Sequence, residues 1–584
     1  MQDDDHERTS APAALSPPSG SPGRHRSWRA RRRAKLRARS ALRRRLTRTG
    51  IGLLALIVVV AGGGFGYYYY RTSQIHHVKA PHIVAAKGPT ENILLIGSTS
   101  RCAAKSIALY RQECANGVNG INSDVVLVAH LDATTHTISL LSIPRDTFVP
   151  GARSGNALCG GTSPLTPGLC ADKVDSALVE GPDQLIATIE QDFGIPINHF
   201  VELNFASFTN VVNALGGLKM YFPDRLYDAS SFLKITKTGC QLLNGTQALA
   251  LVRSRHLYYF TKGETPNYAA IQAVTTPSGP YYTASSGGHY DGTGDLGRIV
   301  RVHLFLKALA QQVASAGLGD FIRDNNLISA VAPNLTVDSG LTPLDMVHLV
   351  LDFRHANFGS APEMTLPTIT YGQPYTYDGA PYGDVIFPTE PQDQRVVDQF
   401  LGTKLDPLAP SSISVSVVDG TNSASQTAQV AASLTRLGYH VVPTSTTSYV
   451  GPVSETTVLY TPGHIAQAQQ VMRSLYGTVV LGQGKPAGRA EVSVVAGSDL
   501  AVSAPPVTAP STSTAPSSTA PSSTSSSTTS TPPSSTSSTS STAPSSSSTT
   551  ATPPITPASG NPNYGYNPPS APIPPWDPRS CAAP

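Results

Sequence analysis

Arginines placed at the ends of apolar runs are the residues of this chain best suited to chemistry. Ser142-Ile143-Pro144-Arg145-Asp146 closes the apolar run Thr137–Ile143, so Arg145 is expected at a strand end. Val252-Arg253-Ser254-Arg255-His256 follows Ala248–Leu251. Two residues apart on an extended segment, Arg253 and Arg255 are expected to point the same way. Asp295, Arg298 and Arg301 recur every third residue and share one stripe of a helix start. A planar guanidinium binds phosphate oxygens in pairs, so converging arginines point to an anionic, phosphate-bearing ligand. The competing reading is a set of surface ion pairs with Asp146 and Asp295; clustering after apolar runs weakens that reading without removing it.

Strands and helices must position these residues. Asn92–Ile96 is a short apolar run, and Asp124–Leu131 with Thr137–Ile143 flanks a turn, a hairpin pattern. Pro182 opens a helix whose face is Leu185, Ile186, Ile189 and Phe193. A second carries Phe205, Phe208, Val212 and Leu215 and stops at Gly216-Gly217. Arg298–Leu309 is a third helix, and Thr342-Pro343 begins a fourth. Strands mixed with helices predict a layered α/β domain over 90–360. A Pro/Gly/Tyr-rich connector covers 361–410. Residues 411–498 read as β-α-β-β-α-β, a small α+β ferredoxin-like module with no catalytic pattern. Thr508–Pro554 contains only Ser, Thr, Pro and Ala, so 499–584 is expected to be a disordered tail. The stretch 256–294 holds Tyr258, Tyr259, Phe260, Tyr268, Tyr281, Tyr282 and Tyr290, read as ordinary loop packing or as a lid that stacks on sugar rings.

Charge is distributed unevenly. The chain has 42 Lys+Arg against 38 Asp+Glu, a net charge of +4. Residues 1–50 carry 14 basic and 4 acidic side chains, so the remainder is acidic on balance. This excludes a uniformly basic nucleic-acid binder, and no nucleic-acid partner is expected. The disordered head, 1–48, is Arg-rich. No charge falls between Arg48 and Arg71, a gap of 22 residues. A helix over 49–70 is long enough to span a hydrocarbon layer of about 30 Å. Arginines on one flank place the N-terminus in the cytoplasm, and Tyr67–Tyr70 suit the far interface. A cleaved signal peptide is the rival, but the run is long for one, so a retained single-pass anchor is expected, with a linker at 71–89 and the C-terminus on the cell-wall side. The six cysteines lack a CxxC pair, which disfavours zinc, and disulfides suit an exported domain. The nearest pairs are Cys102 with Cys114 and Cys159 with Cys170; Cys240 and Cys581 stand apart.

Several of these segments together resemble the LytR-CpsA-Psr family. They are Asn92–Arg101, Ser123-Asp124, Ser142–Thr147, Ala214–Gly217, Leu243–His256 and Asp295–Arg301, in family order, over about residues 90–310. The 411–485 block is similar to the LytR C-terminal domain of actinobacterial members. The resemblance implies a three-layer α/β/α sandwich with an apolar groove. It implies an extracytoplasmic phosphotransferase that moves a glycopolymer from a polyprenyl-pyrophosphate carrier onto peptidoglycan, with Mg²⁺. Carried over by motif, Arg101, Arg145, Arg253, Arg255, Arg298 and Arg301 would bind pyrophosphate, with Asp295 supporting them. Asp124 and Asp146 would join Arg145, Arg253 and Arg255 in catalysis, and Asp124 with Thr99 would hold the metal. Thr99 stands where the family usually has Asp, Asn122 where it has Arg, and Val302 and His303 replace glutamines. Those departures support an alternative: a weakened homologue that serves as a polyprenyl-pyrophosphate or glycan-binding scaffold in wall assembly. The expected partners are the polyprenyl-linked glycan, peptidoglycan and the cytoplasmic membrane.

Overall fold

Alternation along the strand Thr90–Ser98 sends Leu94 and Ile96 to one face of a sheet and Ile93 and Leu95 to the other. The first face packs Leu185, Ile186, Ile189 and Phe193 of the helix Pro182–Phe193, together with Val396, Val397 and Phe400 of Gln392–Leu401. The second meets Leu349 and Phe353 of Pro343–Phe353. Helices therefore cover both faces, a mixed α/β arrangement in three layers. Each large side chain buried in this way contributes about 1.5–3 kcal/mol of hydrophobic stabilisation.

The computed structural model describes residues 66–67, 69–70, 73–99, 114, 121–154, 169–272, 286–316, 332–353, 356, 361–371, 374–377, 380–403, 408–444, 455–498, 500–502, 564–567 and 573–581. The chain divides at Ser73, and the domain fold belongs to the unit from Gln74 onward. Among the described residues no helix is long and apolar enough to cross a membrane; most of the 49–70 segment lies outside them, as does Arg101.

The central sheet has seven strands, ordered His76–Val78, Leu335–Asp338, His199–Asn204, Thr90–Ser98, Ser123–Asp132, Thr137–Ile143 and Glu363–Thr365. The expected hairpin is present, with Val126 opposite Ile143. The sheet exceeds the expected 90–360 limits at both edges, because His76–Val78 and Glu363–Thr365 add parallel strands to it. Gly245–Val252 is a helix, not an extended run. Asn244 and Gln247 close a capping box at its start, and Arg253 is its C-cap. Gly245 permits close contact with the preceding helix, Phe205–Ala214: a Cβ there would sit 2.3 Å from the Thr209 carbonyl oxygen.

The second sheet departs from the ferredoxin-like expectation. Its order is His440–Val441, Ser414–Asp419, Val492–Ala496, Thr456–Tyr460, Leu475–Gln483, Ile386–Glu390, Thr368–Tyr371 and Tyr564–Asn567. Val492–Ala496, a fully buried strand, lies between Ser414–Asp419 and Thr456–Tyr460, so the two β-α-β units flank a fifth strand. The connector supplies Thr368–Tyr371 and Ile386–Glu390, so it joins this sheet instead of merely linking domains. Tyr460 donates to the Gln191 carbonyl at 2.7 Å and ties this module to the Pro182–Phe193 helix.

The 499–584 segment is not disordered throughout. Ala501–Val502 pairs with Leu475-Tyr476, Tyr564–Asn567 with Thr368–Tyr371, and Arg579-Ser580 with Met220-Tyr221. Composition averaged over the segment hid Trp576 and Cys581, which lie beyond the Ser/Thr run. Cys581 is bonded to Cys240, 341 positions earlier, with Cα atoms 5.7 Å apart. Cys114 is also disulfide-bonded. Cys102 and Cys159 lie outside the described residues.

Candidate active site

Four chain segments bring the expected residues together. Ser123–Asp132 carries Asp124, the turn after Thr137–Ile143 carries Arg145 and Asp146, and the first turns of Gly294–Ala316 carry Asp295 and Arg298. Arg253 and Arg255 arrive on the turn that ends Gly245–Val252. Their convergence comes from this turn and not from strand alternation. A single buried carboxylate, Asp228, fixes its backbone: Oδ2 accepts from the Ser254 hydroxyl at 2.8 Å and from the Arg255 and His256 N–H groups at 2.9 Å each. Oδ1 accepts from Ser230 and Ser231 N–H.

The charged groups interlock. Arg145 Nη1 donates to Asp124 Oδ1 at 2.6 Å, and Arg145 also faces Asp146 at 3.4 Å, Asp175 at 3.7 Å and Asp295 at 3.8 Å. Arg255 Nε lies 3.1 Å from Asp295, and Arg298 Nη2 donates to Asp295 at 3.0 Å. Lys173 is 3.4 Å from Asp146. The Arg253 guanidinium lies over the Phe205 ring, 4.6 Å from its centre. A cavity of about 280 Å³ is lined by Asp124, Arg145, Ser230, Arg253, Arg255, His256 and Arg298. The buried Nε of Arg145, Arg255 and Arg298 completes no aligned hydrogen bond among the described residues, although Asp146 and Asp295 stand close to the first two. Buried donors are nearly always paired in folded proteins, so these suit an added anionic acceptor.

The carboxylates balance much of the arginine charge. Burial disfavours ionised Asp124, yet Arg298, Arg145, Arg253 and Arg255 outweigh it and draw its pKa below the usual value. Burial likewise opposes charge on Arg145, and Asp146, Asp124, Asp295 and Asp175 outweigh it, so its pKa is raised. Fully buried Arg298 keeps a lowered pKa because burial exceeds the help from Asp295 and Asp124. Asp175 is pushed up to about 7 by burial, with Arg145 opposing.

A second, apolar slot abuts the first. Leu95, Leu127, Phe208, Val302, Phe305 and Leu306 are among its walls, and it shares Asp124, Arg253 and Arg298 with the polar cavity. One continuous site is thus apolar at one end and cationic at the other.

Three expected site residues stand elsewhere or differently. Arg301 leaves the stripe it shares with Asp295 and Arg298: it is fully buried against Asp291 at 3.1 Å and Asp577 at 3.0 Å, and lines neither cavity. The Thr99 hydroxyl donates to the Asn122 carbonyl at 3.3 Å and accepts from the Asn122 N–H at 3.1 Å. Asp124 Oδ1 is taken by Arg145 and lies 3.8 Å from Arg298. Among the described residues no group of three or more His, Cys, Asp or Glu is arranged to hold a metal ion. His303 donates to or accepts from Ser142 Oγ at 2.8 Å, outside the cavity wall. Of the aromatics in 256–294, Tyr258, Phe260, Tyr268 and Tyr290 pack with Tyr227 and Ile271 in a small core, which is the ordinary packing reading. Tyr281 and Tyr282 lie outside the described residues. Sequence reasoning missed Asp175 and Asp228, since an aspartate in a turn carries no sign that tertiary packing will bury it.

Known proteins share much of this sequence. Residues 68–263 match the LytR_cpsA_psr family, and residues 412–500 match the LytR cell envelope-related transcriptional attenuator family. The chain is 29% identical over 285 residues to the probable cell wall biosynthesis protein LcpB of Corynebacterium glutamicum, covering 48% of this chain and 56% of that relative. It is 27% identical over 289 residues to the polyisoprenyl-teichoic acid–peptidoglycan teichoic acid transferase TagU of Enterococcus faecalis, covering 49% and 73%. Among solved structures, a LytR-Csp2A-Psr enzyme from Actinomyces oris aligns with a TM-score of 0.38 at 18% identity, covering 56% of this chain and 95% of that one.

Proposed function

Because residues 68–263 match the LytR_cpsA_psr family, we propose that this chain is a phosphotransferase of that family, attaching a glycopolymer from a polyprenyl-pyrophosphate carrier to peptidoglycan. The observation that carries the reading is the continuous site: an apolar slot joined, through Asp124, Arg253 and Arg298, to a cavity lined by four arginines. A prenyl pyrophosphate has the same two halves. Its chain would lie against Phe208, Phe305 and Leu306, and its phosphates would replace the carboxylates on Arg145, Arg253, Arg255 and Arg298.

In the transfer, a wall-sugar hydroxyl attacks the phosphorus next to the glycan. A P–O bond forms there, the bond to polyprenyl phosphate breaks, and that phosphate leaves with the electron pair. Negative charge on the phosphate oxygens grows in the transition state, and guanidinium groups already in place stabilise it without reorganising. Asp124 lines the cavity and is the carboxylate assigned to receive the hydroxyl proton, with Asp146 beside it on Arg145. The disulfide between Cys240 and Cys581 supports an oxidising, extracytoplasmic location, with 49–70 as the membrane anchor.

The test is incubation of the purified chain with a polyprenyl-pyrophosphate-linked glycan and peptidoglycan fragments. Release of polyprenyl phosphate that is lost in Arg145→Ala and Arg255→Ala supports transfer. Tight binding of the lipid with no turnover, with or without Mg²⁺, overturns it in favour of the scaffold.

A further inference from the structure

The last described segment, 573–581, is fastened to the arginine domain by four separate contacts. Arg579-Ser580 pairs antiparallel with Met220-Tyr221. Trp576 stacks on Tyr259, with ring centres 4.1 Å apart and planes 2° from parallel. Cys581 is bonded to Cys240. Asp577, fully buried, accepts from Arg301 Nη1 at 3.0 Å. Arg301 is itself fully buried, and its Nη2 donates to the Ser254 carbonyl at 3.0 Å. Ser254 is the residue between Arg253 and Arg255.

We propose that segment 573–581 is a strap that completes the anion site, with Asp577 as a positioning residue that acts on Arg253 and Arg255 through Arg301 and the Ser254 carbonyl. This rests on reading the cavity as an anion site. The physical argument is one of charge. A guanidinium sealed from water needs compensating carboxylates, and Arg301 has two, Asp291 and Asp577, at 3.1 and 3.0 Å. Without the strap, Nη1 loses one of them and the Trp576 cover over Tyr259 is gone. Arg301 then turns toward solvent and releases the Ser254 carbonyl. The turn keeps its grip on Asp228 from one side only. A residue 276 positions from its partner thereby sets the aim of two arginines it never touches. Because the strap is locked by a disulfide, the site is fully assembled only where that bond can form.

Three variants of the full chain test this: a stop after Asn567, Asp577→Asn, and the double change Cys240→Ser with Cys581→Ser. The first readout is hydrogen exchange at the Arg255 and His256 amides, which needs no ligand. The stop and Asp577→Asn should speed it, and a synthetic peptide of residues 573–581 added to the shortened chain should slow it again. The second readout is calorimetric binding of farnesyl pyrophosphate and of inorganic pyrophosphate. Both ligands should bind about tenfold more weakly, as expected when two long side chains lose their ordering. Asp577→Glu should restore most of the affinity, whereas a purely structural strap would move the melting temperature and leave affinity alone. In the double cysteine variant the loss should be smaller, because pairing and stacking remain. Unchanged exchange at Arg255 and His256 in a folded Asp577→Asn chain overturns the strap. Failure of the unmodified chain to bind either pyrophosphate overturns the cavity reading instead, and the strap then stands or falls on exchange.

Discussion

Replacing Asp228 with Asn should cost both stability and anion affinity. The buried carboxylate accepts five hydrogen bonds, three on Oδ2 from the Ser254 hydroxyl, Arg255 N–H and His256 N–H, and two on Oδ1 from Ser230 and Ser231 N–H. An amide has one oxygen. Turned to keep the larger set, it faces its NH₂ toward the two serine N–H groups and loses both bonds. Bonds to a charged group are worth about 1.5–3 kcal/mol each, so the expected loss is about 3 kcal/mol or more. A melting temperature lowered by about 5 °C or more would register that change. The remaining three bonds lose their charge assistance, which loosens the turn carrying Arg253 and Arg255. Freeing two such side chains costs about 0.5–1.5 kcal/mol each on binding, or roughly 5- to 150-fold in Kd for farnesyl pyrophosphate. Asp132 is the control: it caps Thr134 and Thr135 in a solvent-facing turn, and Asp132→Asn should change stability by only about 0.5 kcal/mol. An Asp228→Asn chain with wild-type melting and wild-type affinity would refute the reasoning.

Three further outcomes follow from the packing and charge. Asp175, pushed up to about 7 by burial, is ionised above that pH and neutral below it, so its negative charge beside Arg145 disappears as pH falls. Pyrophosphate should bind more tightly at pH 6 than at pH 8, and Asp175→Asn should flatten that slope in a titration series. The same raised pKa means the folded state holds the extra proton, so the contribution to stability present below the ordinary carboxyl range is lost as pH rises through about 7. Gly245→Ala sets a Cβ 2.3 Å from the Thr209 carbonyl oxygen and must push two helices apart, for a loss of about 1–3 kcal/mol in thermal unfolding. Tyr460→Phe removes the 2.7 Å bond to the Gln191 carbonyl and leaves that oxygen without this donor. A loss of about 1 kcal/mol is expected, and limited proteolysis between the two sheets should accelerate.

Much of the fold was legible because local pattern and burial agree. The face of Pro182–Phe193 was readable from spacing, since that helix buries the residues its periodicity selects, and the Ser123–Asp132 hairpin was readable from two apolar runs flanking a turn. The arginines of the site were readable by type, and Arg145, Arg253, Arg255 and Arg298 do converge. For two of them the expected cause was wrong: Arg253 and Arg255 are aimed by a helix end and by Asp228, not by an extended strand. Gly245–Val252 is short and apolar, and such a run suits a strand or a buried helix equally until its neighbours are known.

Residue types and their order determined an α/β domain and a set of arginines suited to a phosphate-bearing ligand. Tertiary structure decided which of those charges converge. Arg298 and Arg301 are three residues apart on one helix, yet one faces the cavity and the other is sealed against Asp577 from the far end of the chain. A charge acquires its role from the dielectric and partners around it, and contacts separated by hundreds of residues supply both. Periodicity reaches only a few turns along the chain, so the Cys240–Cys581 bond and the strap it fastens appear only once the fold has closed.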